Sequence, residues 1–177
     1  IILKKGNQEE IMQLIEDRVN SDTIDEFLSD YIAFGENDIK DNNFGLYEKY
    51  KEEWIKELAK IIKEQGFDYN TATEKWKKTS HNWKFNTHIV NMTMMLKSEA
   101  VSYELLGEEY TDNAEKLRTI LDKYNGTAFE GFAGDEVLSG LDPTKGTELC
   151  SVVEQMYSYE EIFAHTGDNK WAERLEV

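Results

Sequence analysis

An all-α protein assembled from helical hairpins is the fold class that this 177-residue sequence predicts. Apolar residues recur at three- and four-residue steps over long stretches. Pro and Gly, at 1 and 11 residues, are too sparse and too grouped for the many turns of an all-β chain. One pattern of helix end, polar link and helix start also occurs twice. Ser102-Tyr103-Glu104 is followed by Asp112-Asn113 and Ala114-Glu115-Lys116-Leu117. Ser158-Tyr159-Glu160 is followed by Asp168-Asn169 and Ala172-Glu173-Arg174-Leu175. Repeated hairpins of this kind point to a stacked or toroidal helical architecture.

Taken in order, two short helices are expected around Glu9–Val19 and Ile24–Phe34. Tyr47, Tyr50, Trp54, Leu58 and Ile61 step along one face of a helix over 45–65, with Gly66 in the stop position. A long helix from Thr87 to about Leu106 carries Ile89, Met92, Leu96 and Val101. Ala114, Leu117, Leu121 and Tyr124 form the next, ended by Asn125-Gly126. Leu149, Val152, Met156, Tyr159 and Phe163 mark a last long helix, ended near Gly167. Two linkers, Phe67–Phe85 and Thr127–Gly146, are longer than hairpins require, and long loops on helical scaffolds often carry function.

The net charge of −16, from 20 Lys+Arg against 36 Asp+Glu, argues against a nucleic-acid partner, which needs clustered cations. No apolar run approaches the ~20 residues of a membrane span. The start, IILKKGNQEE, has no signal-peptide layout and reads as a cut end. A single Cys excludes an internal disulfide and leaves the compartment open. The glycosylation patterns Asn91-Met-Thr93 and Asn125-Gly-Thr127 fall in an expected helix and in a turn.

The stretch GDEVLSGLDPTKGTELC, Gly134 to Cys150, holds the only Pro and the only Cys. Thr147 is a good N-cap for the helix that follows, with Gly146 freeing the chain before it. Cys150 then lies in the first turn, where the dipole and open N–H groups favour a thiolate, a nucleophile and soft metal ligand. Glu148 with Cys150 is half of a zinc site, since zinc takes four ligands. The plainer reading makes Cys150 a buried small hydrophobe. Glu136 reads as a solvated loop charge, or as a general acid walled by Phe129, Phe132, Val137 and Leu138. Asp135 and Glu130 are rivals for that role. The other linker, WKKTSHNWKFNTH, gathers His81, Trp83 and His88, residue types that face sugar C–H groups and hydroxyls. It reads equally as a surface loop covering helix ends. Late in its helix, His165 is expected to serve the C-terminal dipole rather than a ligand.

GDEVLSGLDPTKGTELCSVVEQM, with HTGDNKWAERLE after it, resembles the β-L-arabinofuranosidase family of glycoside hydrolases. NTHIVNMTMMLK and ELAKIIKEQGFDY are similar to its earlier segments, so the resemblance covers about 54–176. It implies an (α/α)6 barrel, a retaining mechanism on carbohydrate arabinofuranosides, and a cysteine nucleophile held on zinc. Glu148 and Cys150 match two zinc ligands, Glu136 the acid/base, and His88 a residue lining the sugar pocket. The family's nucleophile belongs to cysteines further along the chain. Residues 1–177 are therefore expected to be one segment of a catalytic domain, an excerpt or a truncated product, inactive alone. A chemistry of free thiolates points to the cytoplasm. Two rival expectations remain: a non-catalytic carbohydrate-binding toroid on the same fold, and a plain helical interaction module.

Overall fold

A computed structural model of the protein describes residue 51 and residues 53–65, 69–78 and 87–176. The two helices expected before Ile39 lie outside the described residues, as do His81 and Trp83. What is described is mostly helical, and none of these helices is long and apolar enough to cross a membrane. The residues fall into two compact units. Helix α1 (Glu53–Gln65) and the segment Glu104–Glu108 belong to one, and Asp68–Tyr103 with Glu109–Val177 to the other.

Helix α1 is amphipathic as its spacing predicts. Trp54, Ile55, Leu58 and Ala59 are buried, while Glu53 in the first turn and Lys63 in the last suit the helix dipole. Lys63 also pairs with Glu108.

The larger unit begins with α2 (Tyr69–Trp76), a helix inside the segment that the sequence assigns to a loop. Trp76, at its end, is fully buried. A helix of two turns gives too few repeats for periodicity to register. The expected long helix over 87–106 is present as three consecutive pieces: α3 (Ile89–Met94), a 3-10 turn (Met95–Lys97) and α4 (Ser98–Leu106). Ile89, Met92, Leu96 and Val101, the apolar positions predicted for it, are all buried.

Helix α5 (Asn113–Asn125) buries Ala114, Leu117 and Leu121 as expected. Its N-cap Asp112 has a left-handed backbone and makes no cap with its own side chain. Glu99 caps it instead, accepting from Asn113 N at 2.6 Å and from Thr111 N at 2.9 Å. At the other end Asn125 is fully buried and joins three segments. Its Nδ2 donates to Trp76 O at 2.9 Å, its Oδ1 accepts from Gly140 N at 3.1 Å, and its carbonyl accepts from Ala133 N. This burial takes Asn125 out of reach of glycosylation.

Helices α6 (Leu149–Thr166) and α7 (Asn169–Leu175) complete the unit. Gly167, with φ +68°, stops α6 in the left-handed conformation that glycine adopts without strain. Asp168 caps α7 by accepting from Lys170 N at 3.1 Å. The sequence echo therefore marks two real helix starts, each with Asp at N-cap and Asn first in the helix. Lys170 ties the two together by pairing with both Asp112 and Asp168.

The face that α6 buries matches expectation at Tyr159 and departs from it at Leu149 and Met156. Ser151, Gln155, Ser158, Tyr159 and Ile162 are inside, whereas Leu149, Val153 and Met156 are exposed at 75%, 54% and 51%. Small hydroxyl residues let α6 approach α3 closely, and Ser158 Oγ donates to Thr93 O at 2.7 Å. On the opposite flank Trp171 of α7 is fully buried, with its ring centroid 5.2 Å from that of Tyr159. Arg174 lies over the same indole and makes a two-pronged pair with Glu115 at 2.5 and 3.0 Å.

Asn125→Leu strands Trp76 O and Gly140 N in the interior. Urea denaturation is expected to show a loss of roughly 2–3 kcal/mol, and a loss under 0.5 kcal/mol, about the noise of such measurements, would remove Asn125 as a tie. The Arg174 guanidinium holds the Glu115 carboxyl below the usual carboxylate range. A depressed folded-state pKa means stabilisation that is complete above the unfolded value of about 4.3 and lost as pH falls through the folded value. A Glu115/Arg174 double-mutant cycle should therefore show coupling of roughly 0.5–1 kcal/mol at neutral pH, shrinking on acidification. Coupling that grows as pH falls would contradict the pairing.

Candidate functional site

The site residues ride on a small backbone ladder rather than on helix faces. Strand β1 (Gly134–Asp135) and strand β2 (Val137–Leu138) pair antiparallel, Gly134 opposite Leu138 and Asp135 opposite Val137. Glu136 is the single residue between them, with φ +70°. On the outer edge of β2, His88 bridges to Val137, with Ile89 N donating to Glu136 O at 3.1 Å and Leu138 N to Thr87 O at 3.0 Å. On the outer edge of β1, Gly134 bridges to Thr147, with Gly134 N donating to Gly146 O and Glu148 N to Gly134 O, both at 3.0 Å.

Pleating then sorts the side chains. Thr87, Gly134 and Leu138 are buried on one side, while His88 and Glu148 fall on the other, because neighbours along a strand point to opposite faces. His88 Nε2 lies 3.4 Å from Glu136 Oε2 and 3.9 Å from Glu148 Oε2. Three residues far apart in sequence thus share one imidazole nitrogen. The imidazole and the Glu148 side chain are mostly buried, at 17% and 20% exposure, while Glu136 is open at 65%. Glu148 Oε2 is shielded from solvent and has no hydrogen-bond donor among the described residues.

Several expectations are corrected here. The N-cap of α6 is Glu148, not Thr147, and its side chain makes no cap bond. Thr147 is committed to the bridge with Gly134, which moves the helix start on by one residue. The apolar walls expected around Glu136 do not enclose it. Phe132 and Leu138 are wholly buried and Phe129 is 88% exposed, since a residue at the tip of so tight a hairpin projects from the sheet. Cys150 does lie in the first turn of α6, and it is exposed, so the reading as a buried hydrophobe is set aside. Of the rivals to Glu136, Glu130 is taken by Arg118, whose Nη2 is 3.0 Å from Glu130 Oε2. Asp135 is exposed on β1. His165 is near the end of α6, 3.7 Å from Glu161. His81 and Trp83 lie outside the described residues.

The sequence held no signal for the left-handed backbone at Glu136. A glutamate there costs on the order of 1 kcal/mol, and such strain collects at functional sites. The requirement for Gly134 was equally hidden: a Cβ at that position would sit 2.5 Å from Val137 O and 2.9 Å from Ile89 Cδ1.

No protein-family model matches the chain, and comparison with curated proteins and with solved structures finds no significant match for it.

Glu136→Gly should relieve the backbone and raise stability by about 0.5–1 kcal/mol. Gly134→Ala should lower it by roughly 1–3 kcal/mol. Thermal unfolding of the two variants checks both signs, and a stabilised Gly134→Ala would show that the ladder is not the constraint it is taken to be.

Proposed function

We propose that His88, Glu136 and Glu148 belong to the catalytic pocket of a retaining glycoside hydrolase acting on β-L-arabinofuranosides, in a domain built as an (α/α)6 barrel of which this chain carries a part. The observation that carries this reading is the convergence of the three side chains on His88 Nε2, at 3.4 and 3.9 Å. It unites the acid/base, one metal ligand and the sugar-pocket histidine that the family resemblance implies. The ladder has no evident structural need for them.

Glu136 is the residue placed to move a proton. Its exposed carboxyl can be reached by a bound glycoside, and its fixed hairpin backbone holds it in place. In the first half-reaction it protonates the departing glycosidic oxygen while the anomeric carbon bonds to the cysteine nucleophile that the resemblance implies, supplied from outside the described residues, and in the second it takes a proton from the water that displaces that sulfur. His88 stands between two carboxylates. Its Nε2 is placed to orient Glu136 or a sugar hydroxyl.

Glu148 fits the zinc that the resemblance implies, because its shielded, undonated Oε2 is what a carboxylate presents to a cation. Cys150 is two residues on and exposed. Zinc takes four ligands, and the described residues hold no group of three or more His, Cys, Asp or Glu arranged for a metal. Glu148 and Cys150 would thus be two ligands, the others coming from outside the described residues. When bound, zinc keeps coordinated thiols deprotonated and fixes their direction.

In the full-length gene product, Glu136→Gln is expected to lower kcat on an aryl β-L-arabinofuranoside by about 10²-fold or more. The loss should be smaller for leaving groups that need no protonation. Undiminished hydrolysis would strike Glu136 from the mechanism. Binding of arabinosides without hydrolysis would favour the carbohydrate-binding reading instead.

A further inference from the structure

We infer that the cavity between the Gly126–Gly131 loop and helices α6 and α7 is a binding site for a neutral amphipathic small molecule, one with a flat apolar body and a head that both donates and accepts a hydrogen bond. The inference does not rest on the glycosidase reading, since neither His88, Glu136 nor Glu148 lines this cavity.

Its volume is about 820 Å³, within the range of about 300–1,000 Å³ typical of small-molecule sites. Phe129, Leu141, Val152 and Met156 form apolar walls. Three of these stand in water, Phe129 at 88%, Leu141 at 64% and Met156 at 51% exposure. Apolar side chains gathered around one concavity gain by covering a ligand there.

The polar groups are fewer and are placed by buried bonds. Gln155 and Tyr159 are 7% and 2% exposed and both line the cavity. Gln155 Nε2 donates to Glu130 O and to Tyr159 Oη, each at 2.8 Å. A carbonyl oxygen only accepts, so Glu130 O fixes which end of the amide faces it. Gln155 Oε1 is thereby turned away, and it accepts from no donor among the described residues. Tyr159 Oη also accepts from Arg118 Nε at 3.1 Å. With two donors on its oxygen, its own proton is left to give. An acceptor and a donor therefore stand together on the floor of an apolar cavity.

Charge decides the head group further. Arg174 on the lining is paired with Glu115, and Arg118 behind it with Glu130, so among the described residues no unpaired cation on the lining meets an anion. Asp142 and Glu176 are the other charged lining residues, both exposed, and Thr144 holds the Asp142 carboxyl below the usual carboxylate range. A carboxylate or phosphate would meet an acidic rim. A cation would find no buried carboxylate free to pair. A neutral hydroxyl or amide head satisfies the floor.

The test uses 2-naphthol, neutral near pH 7, and 2-naphthoate, the same bicycle with an anionic head, titrated into the protein by ligand-observed NMR. 2-Naphthol is expected to bind with Kd on the order of 0.1–1 mM, and 2-naphthoate about tenfold more weakly or worse. Met156→Trp and Val152→Trp fill the cavity from half-exposed positions and should each weaken 2-naphthol by about tenfold. His88→Ala should leave it unchanged. Naphthoate binding as tightly, naphthol binding that survives both tryptophan substitutions, or no naphthol binding would each overturn the inference. So would a dimer broken by Met156→Trp together with no naphthol binding, which would assign this face to a second copy of the chain.

Discussion

The described part of the larger unit depends on one short run of backbone pairing. Residues 87–89, 136–138, 134–135 and 146–148 lie side by side, joined by main-chain hydrogen bonds of 3.0–3.1 Å along both outer edges. Helix α3 starts where the first segment ends, and α6 starts where the last one ends. The ladder therefore sets where both helices begin and hence which side chains face each other along them. Its tolerance is small, because Gly134 admits no side chain between Val137 and Ile89. The same pairing carries His88, Glu136 and Glu148 to one place. A site built on main-chain bonds is held more firmly than one built on loop side chains, whose rotamers must each be fixed separately.

Helix α6 shows how the scaffold divides its two sides. Toward α3 it presents Ser158, and trades hydrophobic area for close approach and a hydroxyl-to-carbonyl bond. Away from α3 it presents leucine, valine and methionine to solvent. Buried polar groups carry weight only when they are bonded, and most here are. Gln155, Tyr159 and Arg118 bond one another, and Arg118 and Glu115 each hold an opposite charge. That network stiffens the floor of the cavity beside α6, while the apolar residues of the outer face supply its walls.

Much of the helical frame could be read from spacing. Ile89, Met92, Leu96 and Val101 are buried where a 3.6-residue period puts them, and the Asp-Asn echo marks two helix starts. The period failed at α2, whose eight residues are too few to register it. It held only in part at α6, where Tyr159 is buried while Leu149 and Met156 of the same stripe face solvent. Periodicity reports that a face is apolar and cannot report which face a neighbour covers. For the site, residue type and local motif picked out His88, Glu136, Glu148 and Cys150 as chemistry-bearing positions. Nothing in the chain order signalled that His88 would stand between the two glutamates.

The amino-acid sequence by itself determined the helix-rich class, the principal helix ends, and the candidate residues, because these follow from local spacing, capping chemistry and side-chain type. Tertiary structure alone decided which face of α6 is buried, that Glu148 rather than Thr147 begins it, that Glu136 sits strained on a one-residue turn, and that three remote side chains meet at one nitrogen. The reason is physical: those outcomes depend on main-chain hydrogen bonds between segments distant in sequence, and such pairing is set by the whole packed arrangement.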